Sequence, residues 1–350
     1  MIYLALYGGL LLSAALSNRQ EQLRRLFFVV FALLLFAFVA FRYQVGCDWG
    51  GYAEHFEQAW SLNTTEALQR SEPAYWLLVV QICAAGLDYP YLNLAMAIPF
   101  FWGILAFARR QPDPLAFLVL SFPVLIINMP MSAIRQAAAI GFLCLAIIAF
   151  QERKLIRYVA MVLAGSLFHM SAIIFLVLAP FVRFQLKRST LLLSGILVLP
   201  GAYFMLAKTA EFYSDRYVGP GVDDAKGAIF RSAMLAAVGA YFLFSLKRSW
   251  CERFPTDYKL ALIGSWVMLG TLALVPLSTV ISDRFGYYVT PIQIMIMARL
   301  PYLIRPGQQS QLIAAAPYLA LGLVLLVWTA NSEMFQQCYL PYRTWLSWDG

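Results

Sequence analysis

The chain has 350 residues, 61% of them hydrophobic and 13% charged, with a formal net charge of +8. A charged fraction near half the usual ~25% excludes an ordinary soluble domain. The positive surplus does not mark a nucleic-acid binder either, because it is dispersed over short loops rather than gathered into one patch.

Apolar stretches of about 17 residues or more recur, long enough to cross ~30 Å of hydrocarbon as helices. Backbone groups in lipid must pair within their own segment, and the alternation of a barrel is absent, so the fold class read here is all-α. Residues 1–350 are expected to form a single polytopic membrane domain of about twelve crossings. The connections 18–25, 109–113, 151–158, 183–188, 247–259 and 299–305 hold 17 of the 26 Lys and Arg but 5 of the 18 Asp and Glu. The rest of the chain holds 9 basic and 13 acidic residues, a positive-inside partition that makes these connections cytoplasmic.

The first span runs from Ile2 to Ser17, apolar from its start and read as a retained helix rather than a secretory signal. A basic turn with Arg19, Arg24 and Arg25 leads to a second span, Leu26 to Phe41. Residues 42–90 then form an external loop and a juxtamembrane helix. The helix opens at Pro73, where a missing N–H costs nothing, and is expected to lie along the outer surface over 73–86. Residues 91–108 cross, and 114–128 and 133–150 form a hairpin whose outer turn carries Arg135. Basic residues at 153–157 and 183–188 leave too little chain between them for two full spans, so two short helices are expected to meet near His169. The span 191–207 leads to a second external loop, 208–228. Later turns place Asp283 and Arg284 outside, 299–310 inside and the tail from Asn331 outside. No internal repeat is evident, which disfavours a transporter built of inverted halves.

The chemistry collects on the external face, where Arg42, Asp48, Glu72, Arg135, His169, Arg216, Asp283 and Arg284 stand, several at the mouths of apolar helices. Charge is expensive there and usually has a role. Arginines bind phosphate through the guanidinium fork, carboxylates and tyrosines such as Tyr52, Tyr75 and Tyr287 suit sugars, and a His or carboxylate can serve as general base. Phosphate, sugar and lipid together suggest a glycan carried on a lipid diphosphate.

The spacing is recognisable. Arg42-x3-Gly46-x-Asp48-x3-Tyr52, Ser71-Glu72-Pro73-x-Tyr75, Met131-Ser132-x2-Arg135-Gln136-x2-Ala139, His169-Met170-Ser171-Ala172 and Asp283-Arg284-x2-Tyr287 resemble the EpsG-like family of Wzy-type polysaccharide polymerases. Ala74 stands where the family often has Gly. The resemblance implies a GT-C-like glycosyltransferase of the bacterial inner membrane with its active site on the periplasmic side. Such an enzyme transfers a growing glycan from undecaprenyl diphosphate to a lipid-linked repeat unit, by direct displacement with inversion and with no cofactor or metal. Its base is His169, Glu72 or Asp48, its diphosphate ligands Arg135, Arg284 and Arg42, and its glycan contacts Tyr52, Tyr75, Gln136, Asp283 and Tyr287. The expected partners are the lipid-linked donor and acceptor oligosaccharides and membrane lipid, with a chain-length regulator as an optional one and no nucleic acid. An O-antigen ligase performs neighbouring chemistry. A membrane O-acyltransferase also needs an intramembrane His, but the short basic cytoplasmic loops lack a catalytic pair, and a transporter should be polar along both halves of its path.

Each residue also has a purely structural alternative. Arg135 could be an interfacial snorkelling arginine, Arg284 a partner of adjacent Asp283, His169 a packed core histidine, and Asp48 and Glu72 loop anchors. His55 reads as incidental and Trp328 to Trp348 as an interface belt. Asp215, Asp223 and Asp224 read as a solvated loop before a cation site. The five cysteines show neither zinc spacing nor a disulfide framework. Cys47 and Cys338 both lie outside but are expected to stay unpaired, since no feature of the sequence brings the tail to the first loop.

Overall fold

The computed structural model of the protein describes residues 2–184, 227–304 and 308–347. The expected span 191–207 and nearly all of the loop 208–228, with Asp215, Arg216, Asp223 and Asp224, lie outside the described residues. Among the described residues the structure is helical, with no strand beyond an isolated antiparallel bridge between Arg42 and Thr344.

Local sequence accounts for the helix boundaries. Helices α1 (Ile2–Leu16) and α2 (Glu21–Ala40) flank the first basic turn. The stretch after α2 contains α3 (Trp49–Ala59) and α4 (Thr64–Gln69). Asn63 caps α4 by accepting from the Glu66 N–H while the Glu66 carboxylate accepts from the Asn63 N–H, so two orphan donors are satisfied together. Helices α5 (Pro73–Ala84), α6 (Pro90–Ala108) and α7 (Pro114–Ser121) each open on a proline, whose fixed φ suits the first turn. Beyond α7 the backbone widens into a π-helical turn, Phe122–Ile126, at Pro123, where the ring crowds the preceding turn and the N–H is missing. Then come α8 (Ile134–Gln151) and α9 (Leu155–Ser166). The break expected near His169 falls at Leu167 to His169, before a 3-10 segment Met170–Leu178 and the short α10 (Ala179–Arg183).

Five helices among the described residues are long and apolar enough to cross a membrane: Glu21–Ala40, Pro90–Ala108, Ile134–Gln151, Ala228–Arg253 and Gln311–Asn331. Six shorter apolar helices of 10–17 residues accompany them, Pro73–Ala84 and Leu155–Ser166 included. This is a helical membrane protein.

The chain divides into two compact units. The first comprises Met1–Leu145, Leu163–Ser171 and Pro306–Gly350. Its centre is a close crossing of α6 and α8. A Cβ on Gly103 would sit 1.8 Å from the Gly141 carbonyl oxygen, and one on Gly141 would sit 2.1 Å from that of Pro99. Only glycine lets the two backbones approach so closely, which is how membrane helices gain packing without a hydrophobic driving force. Tyr52, Phe56, Tyr75, Trp76, Met96 and Ile134 form one buried apolar cluster, which seats α3 and α5 against α6 and the start of α8.

The tail of the first unit returns to its first loop, contrary to the expectation that Cys47 and Cys338 stay unpaired. The two form a disulfide across 291 residues of sequence, with Cα atoms 4.8 Å apart. Main-chain bonds bring them together. Tyr43 N–H donates to the Arg343 carbonyl at 2.9 Å, Gly46 N–H to Cys338 at 2.7 Å and Trp345 N–H to Phe41 at 3.1 Å. Tyr342 stacks on Phe38 with ring centroids 4.6 Å apart.

The second unit comprises Ala146–Val162 and Ala172–Arg305. Its helices Ala228–Tyr241, Tyr258–Leu274 and Thr279–Ala298 pack on one another. Hydroxyls satisfy one another at the contact, where Ser282 Oγ lies 2.8 Å from Ser232 Oγ and 2.7 Å from the Thr271 carbonyl oxygen. Buried Arg299 pairs with Asp257 and lies over the rings of Phe254 and Trp250.

Candidate active site

Glu72 is the hub of the first unit's polar cluster. It occupies the residue before α5 in the left-handed region, φ 64° and ψ 57°, without capping the helix through its side chain. A non-glycine residue there costs on the order of 1–3 kcal/mol and persists only where its surroundings hold it. The surroundings are three polar partners. His169 Nδ1 lies 2.6 Å from Oε1, the Met170 N–H donates to the same oxygen at 3.2 Å, and Arg135 Nη1 donates to Oε2 at 2.6 Å.

Separate elements deliver the three side chains. The Ala74 N–H donates to the Leu167 carbonyl at 3.1 Å, tying the start of α5 to the end of α9. Gly165 lets α9 approach α8, where a Cβ would meet the Ala139 carbonyl oxygen and the Phe142 Cβ at 3.3 Å. Phe142 and Phe168 stack with ring centroids 5.5 Å apart, which sets His169 beside the carboxylate. Arg135 stands in the first turn of α8, at the positive end of the helix dipole, where a cation is disfavoured unless it is paired. Glu72 supplies the pair.

Burial alone would raise the Glu72 pKa. The His169 hydrogen bond and charge, the Arg135 charge and the Met170 N–H outweigh it and hold the carboxyl below its ordinary range. An ionised carboxylate only accepts, so His169 Nδ1 carries the proton that faces Glu72 and Nε2 is left as the basic nitrogen. The side chains of Glu72, His169 and Arg135 are 8%, 15% and 29% exposed, so the carboxylate is the most deeply buried of the three. Arg135 Cζ also lies 5.6 Å and 5.3 Å from the ring centres of Tyr52 and Tyr75. Among the described residues no acceptor reaches its buried Nε. His55 Nδ1 lies 3.2 Å from the Tyr75 hydroxyl, so the histidine read as incidental borders the same cluster.

The structure thus gathers Glu72, Arg135, His169, Tyr52 and Tyr75. Gln136 is buried in the same turn as Arg135. Asp48 lies one turn before Tyr52, its side chain exposed and making no capping bond, while its N–H donates to Ser132 Oγ at 3.3 Å. Arg42 is 2% exposed and bonds main chain instead of facing a ligand. Its Nε lies 3.1 Å from the carbonyl oxygens of both Val45 and Met131, and its Nη1 2.7 Å from that of Val39.

In the second unit Asp283 pairs with Arg231. Asp283 Oδ1 accepts from Arg231 Nε at 2.6 Å, and Arg231 Cζ lies 5.6 Å from the centre of the buried Tyr287 ring. Arg284, the next residue on the helix, is exposed. Sequence reasoning missed Arg231, although it carries the same signal as Arg135: an arginine in the first turn of an apolar helix, away from the basic connections.

The sequence model of the EpsG family matches residues 25–344, nearly the whole chain, and the chain belongs to that family. Membership makes it a membrane protein of polysaccharide-polymerase type. Neither a curated protein nor a solved structure gives a significant match.

Proposed function

We propose that this EpsG-family protein is a Wzy-type polymerase, which transfers a growing glycan from undecaprenyl diphosphate to a lipid-linked repeat unit on the periplasmic face of the inner membrane. The observation that carries the reading is the bridging of His169 and Arg135 by one buried carboxylate, Glu72. A histidine oriented through Nδ1 by a carboxylate is the arrangement of a general base, whose Nε2 points away from its orienter. The arrangement supports a reading with His169 as base and Glu72 as its positioning group.

In the step envisaged, His169 Nε2 takes the proton of an acceptor hydroxyl as its oxygen attacks the anomeric carbon. The bond from that carbon to the diphosphate oxygen breaks, its electron pair leaves with undecaprenyl diphosphate, and the new glycosidic bond forms with inversion. Arg135 holds the developing charge on the leaving group. Part of its charge is already met by Glu72, so the ligand is held by the guanidinium edge that Glu72 leaves over. Tyr52, Tyr75 and Gln136, of the same unit, are proposed to contact glycan. The Cys47–Cys338 disulfide supports the periplasmic assignment of the first loop and the tail, since such bonds persist in oxidising compartments.

The test uses the full chain in nanodiscs with a purified lipid-linked repeat unit, read as a ladder of polymer lengths. Wild type should build the ladder, and His169→Ala should slow it by about 10²–10⁴-fold, the usual contribution of a positioned base. A wild-type protein that moves finished polymer to another acceptor, and builds no ladder, would make it a ligase.

A further inference from the structure

Residues 41–48 have no regular structure of their own, so their main-chain groups must find partners elsewhere. Half of that answer is the tail. The bonds from Tyr43 to Arg343, from Gly46 to Cys338 and from Trp345 to Phe41 make 338–345 the loop's main-chain partner. Tyr342 adds a hydroxyl bond to the Phe38 carbonyl at 2.8 Å, and Cys47–Cys338 closes the pair covalently.

The other half is the turn ahead of α8. Arg42 Nε donates to the Met131 carbonyl, and the Asp48 N–H donates to Ser132 Oγ. Gly46 adopts φ +105°, and a Cβ there would lie 1.8 Å from the Met131 carbonyl oxygen, so the loop backbone lies directly on that turn. Ser132 precedes Arg135 by three residues, within one helical turn. A continuous set of contacts therefore runs from the tail through the loop to the first turn of α8.

We infer that the C-terminal segment 338–345 is a positioning part of the reaction centre: latched by Cys47–Cys338, it presses the first loop onto the Met131–Ser132 turn and so fixes the start of the helix that aims Arg135. The inference rests on the reading of Glu72, Arg135 and His169 as the reaction centre. Arg42 belongs to this frame as a positioning residue, and the buried guanidinium is the rivet that ties Val39, Val45 and Met131 together. The cross-link matters because a loop without internal hydrogen bonds gains its definition from its anchors, and a covalent anchor removes the open alternatives. A shift of about 1 Å at a group that contacts the reacting atoms can cost on the order of 10²-fold in rate.

The test compares full-length wild type, reduced after reconstitution in nanodiscs, with its oxidised form and with the Cys47→Ser/Cys338→Ser double variant. Amide hydrogen exchange is followed without substrate, and turnover with a lipid-linked repeat unit. Opening the latch should speed exchange at 131–136 as well as at 338–345. It should also lower turnover by about 10–100-fold with a smaller change in KM, because the lost alignment acts on the transition state. Reductant should do nothing further to the double variant. Faster exchange confined to the tail, or turnover within about twofold of the oxidised protein, would reduce the segment to an anchor and overturn the inference. If oxidised wild type builds no polymer, the functional reading fails, and exchange at 131–136 alone decides the inference. Should the double variant fail to insert, wild type reduced after insertion supplies the comparison.

Discussion

Replacing Glu72 separates the two roles argued for it. Glu72→Gln keeps the volume but loses the charge, and its NH2 group sets donor against donor at one of the two partners, Arg135 Nη1 or His169 Nδ1, while its oxygen can still accept from the other. Breaking a buried ion pair from one side costs about 3–5 kcal/mol. Arg135 is 29% exposed and can turn partly to water, so the smaller figure of about 2–3 kcal/mol applies to stability. Glu72→Gly loses every side-chain bond but removes the side-chain penalty of the left-handed backbone, about 1–2 kcal/mol. The relief offsets the extra lost bond, so the two variants should lie within about 1 kcal/mol of each other. Turnover should not follow stability. Both variants lose the group that orients the base, and both should fall by about 10²–10⁴-fold in the polymer-ladder assay. Thermal midpoints and ladder rates measured on the same nanodisc preparations test this. A Glu72→Gln protein that polymerises within threefold of wild type would refute the assignment of Glu72 as the positioning carboxylate.

The same carboxylate sets an acid limit. Its folded pKa lies below the ordinary 4.5, so on acidification the unfolded chain takes up its proton first. The contribution is complete above about pH 4.5 and is lost as pH falls through the lower folded value, so the wild-type midpoint should drop there more steeply than that of Glu72→Gln; equal slopes would contradict it. Arg135→Ala should lower turnover by about 10²–10³-fold with normal insertion, and Arg135→Lys should recover only part of it, because a point charge cannot reproduce the fork. Wild-type ladders from Arg135→Ala would leave this residue an interfacial anchor. An impermeant thiol reagent applied to intact spheroplasts should label Cys47 and Cys338 only after reduction and spare Cys251. Labelling of Cys47 before reduction would show the latch open, and labelling of Cys251 would invert the topology.

Helix positions were legible in the sequence because they depend on local properties. The length of an apolar run decides whether it can span, and proline at a first turn decides where α5 begins. The candidates Glu72, Arg135 and His169 were legible for a related reason: each is a charged or titratable group at the end of an apolar helix, where only a role or a partner justifies the cost. Their partnership was not legible, because Glu72 lies 63 residues from Arg135 and 97 from His169 in the chain, and only the close crossings of α8 with α6 and α9 bring them within hydrogen-bond reach. The partner of Asp283 was equally hidden. Asp283 and Arg284 are adjacent on a helix and so face different directions, which hands Asp283 to Arg231 of another helix. The latch shows the same limit at greater range. Cys47 and Cys338 carry no mutual signal in composition or spacing, and their pairing follows from where the last helices leave the tail, a consequence of packing throughout the first unit.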